Sequence, residues 1–246
     1  VSAPPEDRVA VVTGAAGGIG NAVCDRLAAD GFAVACLDAC DVDVSQHAGS
    51  RRAAIGVTVD VRDAASVRAA GDRIRAELGA PWLLVNVAGV FSIQLITELA
   101  ETEWDRILDT NLKGPFLTCR EFLPGMIDRG TGCIVNVAST AGVRGGHRRA
   151  AYCASKGGLV QLTRSLAIDH GPDGVRVNCV CPGLIDTPMA DWIRQDEEAL
   201  TRWAGTLPAG RIGTAAEVAD TISFLASPGG SYIHGAVLAV DGGVTA

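Results

Sequence analysis

Apolar residues in this chain fall into two alternating patterns. Short β-branched runs occupy residues 8–13, 33–38, 55–59, 82–86, 133–138, 175–180 and 237–240 and read as strands. They are apolar at nearly every position rather than every second one, as strands of a parallel sheet covered on both faces must be. Longer stretches with helical spacing lie between them, at 19–29, 64–78, 112–129, 150–169 and 215–226. This alternation predicts an α/β fold, a doubly wound parallel sheet with right-handed crossovers, in a single domain spanning residues 1–246. The least regular stretch, 185–210, carries Pro188, Trp192, Trp203 and Pro208 between the sixth strand and the next helix. Ligands of open α/β sheets sit beyond the carboxyl ends of the strands, so this insertion is placed to cover a substrate; a plain surface excursion would have the same pattern.

The first strand runs directly into Thr13-Gly14-Ala15-Ala16-Gly17-Gly18-Ile19-Gly20 and then a helix with Val23 and Leu27 on one face. A glycine-rich turn lets backbone approach a pyrophosphate without Cβ collisions, and the helix amino terminus offers free N–H groups and partial positive charge. Gly14, Gly18 and Gly20 are the candidate phosphate positions, although G-x-x-x-G-x-G alone also describes a tight turn. The second strand ends at Asp38, where a carboxylate can accept hydrogen bonds from both adenosine ribose hydroxyls. That selects NAD, since a 2′-phosphate would meet like charge and Ala15, Ala16, Ala39 and Cys40 supply no cation. Asp60, at the end of the third strand, is positioned to take the adenine amino group.

A second constellation follows the fifth strand. In Tyr152-Cys153-Ala154-Ser155-Lys156 the Tyr and Lys are four apart and share a helix face; Ser139 closes the fifth strand, and Asn111 stands in a helix before Lys113. Of the 21 basic residues only Lys113 and Lys156 are Lys, and both lie inside these motifs. Moving a hydride to or from a carbinol carbon requires a group that gives or takes the proton on oxygen, and Tyr152 can do either. Ionisation near neutrality needs its pKa lowered by roughly 3 units, about 4 kcal/mol, for which the Lys156 ammonium and the positive ring of an oxidised nicotinamide are the expected sources. Ser139 would orient the substrate oxygen and Asn111 would position a water linking Lys156 to solvent.

Composition narrows the partners. The chain of 246 residues carries a formal charge of −7, and 48% of it is hydrophobic, but it has no run of about 20 apolar residues, so no membrane span is expected. Residues 1–8 are Pro-rich and acidic rather than basic-then-apolar, which points to a cytoplasmic address. Basic residues are scattered apart from Arg51-Arg52 and the group Arg144, Arg148 and Arg149, so nucleic acid is not an expected partner. That group, with His147, lies between Ser139 and Tyr152, where it would suit an acidic substrate unless its charges are solvated or make subunit contacts. The eight cysteines mostly interrupt apolar segments and read as reduced packing residues, and His47, His147, His170 and His234 are too dispersed for a metal site.

Taken in order, the Thr13–Gly20 turn, Asn86-Val87-Ala88-Gly89, Asn111, the Ser139, Tyr152 and Lys156 set, and Pro182-Gly183 with Thr187 resemble the short-chain dehydrogenase/reductase family over essentially the whole chain. The resemblance implies a seven-stranded Rossmann-like sheet and a catalytic tetrad of Asn111, Ser139, Tyr152 and Lys156. It also implies cofactor contacts from Ile19, Val61, Asn86, Ala88, Gly89, Tyr152, Lys156, Pro182 and Gly183, with Ile185 and Thr187 at the nicotinamide carboxamide. A homotetramer built partly from the helices after Asn111 and Tyr152 is implied as well. Val87 departs from the family, which usually shows Asn or another small polar residue there. The expected activity is hydride transfer between NAD(H) and a secondary alcohol or ketone. The alternatives are an NADPH-dependent 3-oxoacyl-carrier-protein reductase and a non-catalytic NAD sensor. Substrate-pocket walls are expected from residues 91–95, 141–149, Leu184 and the 185–210 insertion.

Overall fold

The computed structural model describes residues 8–45 and 53–246. Its elements in chain order are β1 (Val9–Thr13), α1 (Gly18–Ala29), β2 (Ala33–Asp38), β3 (Ala54–Thr58), α2 (Ala64–Glu77), β4 (Leu83–Asn86), α3 (Glu101–Leu108), α4 (Gly114–Asp128), β5 (Gly132–Val137), α5 (Ala150–His170), β6 (Val175–Pro182), α6 (Asp191–Arg194), α7 (Glu197–Ala204), α8 (Ala215–Ala226) and β7 (Val237–Val240). The strands form one parallel sheet in the order β3-β2-β1-β4-β5-β6-β7, with register pairs such as Val12 beside Cys36 and Val85. Winding reverses between β1 and β4, the switch point at which a crevice opens beyond the strand ends. All seven predicted strands and all five predicted helices are present.

The near-continuous apolar runs divide between two cores because successive strand residues face opposite sides. Val12, Val34, Val85 and Val135 pack with Val23 and Leu27 of α1 and with Ile222 and Leu225 of α8. Val11, Ala35, Leu84 and Ile134 face the other way, onto Ile74 of α2 and Phe122 and Met126 of α4. Helix starts are fixed locally: the Asp63 carboxylate accepts from the Ala65 and Ser66 amides, and Thr214 with Glu217 forms a capping box.

Three helices were not anticipated. In α3 only Ile107 is buried, so no apolar stripe announces it, while α6 and α7 are one- and two-turn pieces inside the stretch read as irregular. Asn111 stands in a single π turn, Asp109–Lys113, joining α3 to α4. Six of the cysteines are buried, Cys40 is exposed and Cys153 is intermediate, and none is bonded to another. Among the described residues no helix is long and apolar enough to cross a membrane, and no group of three possible metal ligands converges. Residues 1–7, His47, Arg51 and Arg52 lie outside the described residues.

Candidate active site

A cleft of about 730 Å³ opens along the carboxyl ends of the strands, from Asp38 and Asp60 on the β2–β3 side to Ser139, Tyr152 and Pro182 on the β5–β6 side. Its floor is the glycine turn. Gly14 has φ +71°, and a Cβ there would stand 2.8 Å from the Ala88 backbone. A Cβ on Gly20 would come 1.9 Å from the Gly14 carbonyl oxygen, so no other residue permits this turn. Gly17, the N-cap of α1, offers no side-chain cap, which leaves the amides of the first helical turn for an anion. Gly18 and Ile19 line the cleft, and the Thr187 side chain approaches so near to Gly18 that a Cβ there would be 2.6 Å from it.

At the far end the Asp38 carboxylate is pinned by the turn it faces, accepting from the Ala16 amide at 3.0 Å and the Ala39 amide at 2.7 Å. Asp60 also lines the cleft, but Arg62 occupies most of its acceptor capacity, through Nη2 at 2.7 Å, Nε at 2.9 Å and the Arg62 amide at 2.9 Å. The same guanidinium holds its carboxyl below the usual carboxylate range. Val61, Ala88, Gly89, Pro182, Gly183, Ile185 and Thr187 all line the cleft.

Asn86 does not. Its buried side chain donates to Asn136 Oδ1 at 2.9 Å and accepts from Thr118 Oγ1 at 2.7 Å, tying β4 to β5 and α4 instead of facing a ligand. Thr13, which spacing alone did not single out, has a clear role. Its hydroxyl oxygen accepts from the amides of both Val87 and Ala88 at 3.1 Å, fixing the backbone that passes over Gly14. A polar residue ending an otherwise apolar strand was the available signal.

At the other end, α5 brings Tyr152 and Lys156 to one face, with Lys156 Nζ 5.8 Å from the Tyr152 ring centre. Lys156 is buried and donates to the Val137 carbonyl at 2.8 Å. Ser139 Oγ accepts from the Ala141 amide at 3.1 Å, so its own proton remains to be donated. Fully buried Asn111 lies behind the cleft wall. Its Nδ2 donates to the Val90 carbonyl and to Ser155 Oγ, its Oδ1 accepts from the Val90 amide, and Ser155 Oγ donates to the Tyr152 carbonyl. Both ends of the Asn111 amide are therefore engaged, Nδ2 bearing on the Tyr152 turn through Ser155, while Oδ1, which accepts one hydrogen bond, keeps a second lone pair for the expected water.

Burial pushes Lys156 down to about 8, with Cys179 and Cys181 partly opposing the fall. It pushes the Tyr152 phenol up, and the Ser139 hydrogen bond and the Arg149 charge recover only part of that. Without the nicotinamide charge expected from the sequence to act beside Lys156, the protein does not lower Tyr152, because desolvation of a phenolate outweighs the neighbouring charges.

The wall beyond Tyr152 is aromatic and basic. Phe91 meets the Tyr152 ring edge-on at 5.0 Å, and Arg144, Arg149, Leu184, Trp192 and Trp203 complete the lining. Of the anticipated basic group, Arg148 instead pairs with Glu98 at 3.0 Å.

A family model described as enoyl-(acyl carrier protein) reductase matches residues 14–245. The 2-(R)-hydroxypropyl-CoM dehydrogenase of Xanthobacter autotrophicus is 40% identical over 97% of this chain and 99% of its own. The meso-2,3-butanediol dehydrogenase of Serratia marcescens is 37% identical over 98% and 96%. The crystal structure of gox2181 superposes with a TM-score of 0.91 at 32% identity, covering 97% of this chain and 96% of that one. The chain belongs to the short-chain dehydrogenase/reductase family. As a member it is an oxidoreductase acting on CH–OH groups with a nicotinamide cofactor, and the glycine cradle and Asp38 fit such a dinucleotide at the residues just described.

Proposed function

We propose that this short-chain dehydrogenase/reductase prefers NAD and interconverts a secondary alcohol and its ketone, with Tyr152 as the acid/base. The observation carrying the reading is one cleft with Tyr152, Ser139 and Lys156 at one end and, at the other, an Asp38 carboxylate with no cation partner among the described residues. The nicotinamide, when bound, accepts or supplies the hydride and in its oxidised form brings a positive charge into the site. Ser139 Oγ donates to the substrate oxygen. Tyr152 Oη takes the alcohol proton in oxidation and returns one to the carbonyl oxygen in reduction. Lys156, with one proton committed to Val137, has two further donors and a charge that favours the phenolate. Asn111 acts through Val90 and Ser155 to keep Tyr152 in place.

Gly14, Gly18, Ile19 and Gly20 would hold the pyrophosphate, Asp38 the adenosine ribose and the Asp60–Val61 segment the adenine. Ala88, Gly89, Pro182, Gly183, Ile185 and Thr187 would flank the remainder of the dinucleotide, and the 185–210 insertion would cover the substrate. A homotetramer and a cytoplasmic address complete the proposal; eight unpaired cysteines suit a reducing compartment. A relative 36% identical is named a 3-oxoacyl-[acyl-carrier-protein] reductase, which keeps that reading as the runner-up.

The test is initial rates with NAD and NADP over a panel of secondary alcohols and 3-hydroxyacyl thioesters. NAD should be preferred, and Asp38→Ala should narrow the gap while weakening NAD by roughly 1.5–3 kcal/mol. Preference for NADP in the unmutated chain would overturn the assignment.

A further inference from the structure

Every arginine that lines the deep cleft near an acid is spent on it, Arg62 on Asp60 and Arg106 on Glu103, each at 2.7 Å. Arg144 and Arg149 line the cleft without an ion pair among the described residues, and of the two only Arg149 is half-buried. Among the described residues no carboxylate lies within ion-pair distance of it, and its Nε is the sole buried side-chain nitrogen or oxygen without a hydrogen-bond partner. The guanidinium packs against two neighbouring rings, 5.1 Å from the centre of Phe91 and 5.2 Å from that of Trp192, the latter on the insertion. Burial pulls its pKa down from the ordinary value, an effect that Tyr152 and Cys153 partly oppose and nearby Arg144 reinforces.

The backbone holds this arrangement at some cost. Arg148, one residue before, has φ +57°, a left-handed conformation that a non-glycine residue adopts only when its surroundings impose it. The Gln94 amide donates to the Arg148 carbonyl at 2.8 Å, and Gln94 and Arg149 form an isolated parallel bridge. Arg149 is thereby fixed as the N-cap of α5, three residues ahead of Tyr152. Phe91 touches both side chains, so only the contacts of 5.1 Å and 5.0 Å separate the guanidinium from the Tyr152 ring.

We propose that Arg149 recognises an oxyanion on the substrate, which makes that substrate a compact secondary alcohol bearing a carboxylate or sulfonate a few atoms from the carbinol carbon. The proposal rests on the dehydrogenase reading above and names its substrate class. A half-buried guanidinium whose Nε lacks a partner is unfavourable, and a carboxylate or sulfonate entering beside Tyr152 answers it with two charge-assisted hydrogen bonds. The Phe91 and Trp192 rings shield one side of that pair from water, which strengthens it. A neutral diol gains none of this.

The experiment compares short hydroxy acids and hydroxyalkane sulfonates with their neutral methyl esters and amides, in wild type and in Arg149→Met and Arg149→Lys. Wild type should favour the anion over its neutral counterpart by about 30-fold or more in kcat/KM, carried mainly by KM. Arg149→Met should abolish that ratio and Arg149→Lys restore part of it, with NAD binding and melting temperature as controls for folding. Carboxylate and sulfonate arms then identify which anion the site takes. A wild-type ratio near one, or a ratio that Arg149→Met leaves intact, overturns the proposal. Calorimetric titration with propionate and ethanesulfonate gives a readout that needs no turnover. Binding lost in Arg149→Met supports the anion site even if no alcohol is oxidised, and that result would sink only the dehydrogenase reading. Equal binding by the two proteins sinks the anion site alone.

Discussion

Lys156 is the most consequential single side chain for stability as well as chemistry. An ammonium held at about 8 in the fold and near 10.4 in the unfolded chain loses protons in the native state first. Below pH 8 both states are protonated and the native state bears the cost of a buried charge. Between about 8 and 10.4 the unfolded chain binds more protons, so stability contributed by this group rises with pH. Urea unfolding of the cofactor-free protein should show wild type gaining stability relative to Lys156→Met from pH 7.5 to 9.5, with a slope approaching about 1.4 kcal/mol per pH unit. A flat difference would mean that Lys156 is not desolvated. Tyr152 is the complementary case, its phenol pushed up by burial. The chain has two tyrosines, so Tyr232→Phe leaves Tyr152 as the sole phenol to follow by ultraviolet absorbance. Its ionisation should appear above the ordinary phenol range without cofactor and move down on saturation with NAD; a lowered ionisation already present without cofactor would mean that Lys156 suffices without the nicotinamide charge. Tyr152→Phe should lower turnover by about 10²–10⁴ while melting near wild type. The Tyr–Lys pair was legible because four-residue spacing alone puts two side chains on one helix face. The sign of the Tyr152 shift was not legible, since burial depends on packing that spacing does not encode.

At the scale of elements, the join between β1 and the segment after β4 decides whether the cofactor cradle forms. Thr13 Oγ1 satisfies two amides, and the Ala88 backbone they hold lies against Gly14. Thr13→Val keeps the shape and removes the acceptor, leaving two half-buried N–H groups unpaired. We expect a loss of about 2 kcal/mol in stability by denaturant titration and weaker NAD binding by calorimetry. An unchanged dissociation constant would show that the segment is held without Thr13. The glycine turn itself was readable because its backbone conformation tolerates no side chain, a constraint that is local to the sequence. Asn86 shows the opposite. The family resemblance made it a cofactor contact, yet its side-chain partners Asn136 and Thr118 come from β5 and α4, and Asn136 passes the network on to Thr163 of α5 at 2.9 Å. Helix α3 went unseen for a related reason, its one buried residue being too little to mark a face. Nor does any local pattern join Phe91, Arg149 and Trp192, which meet only when three segments after β4, β5 and β6 close around the cleft.

The doubly wound parallel sheet followed from strand and helix alternation along the whole chain, but its strand order came only with the structure, and the outer surface carries information that alternation does not reach. Large apolar side chains remain in solvent on the helices expected to associate, Phe116 on α4 at 44% exposure and Ile168 on α5 at 78%, and elsewhere Phe224 on α8 at 47% and Tyr232 fully exposed. Single exposed apolar residues are ordinary, but these four, among the larger set exposed outside the cleft, fall on two faces that suit packing against copies of the same chain. A closed tetramer uses two different self-complementary faces, and the division of these residues between α4–α5 and the α8–β7 side provides two candidates. Sedimentation velocity at micromolar concentration should therefore give a tetramer. Phe116→Glu with Ile168→Glu should reduce it to dimers, because a carboxylate buried in an interface without a partner is strongly unfavourable. Tyr232→Glu with Phe224→Glu should give dimers of the other kind, and combining the four should give monomers with unchanged far-ultraviolet circular dichroism. A wild-type chain that sediments as a monomer overturns the assembly, and dimers insensitive to both pairs would place the contact on another surface.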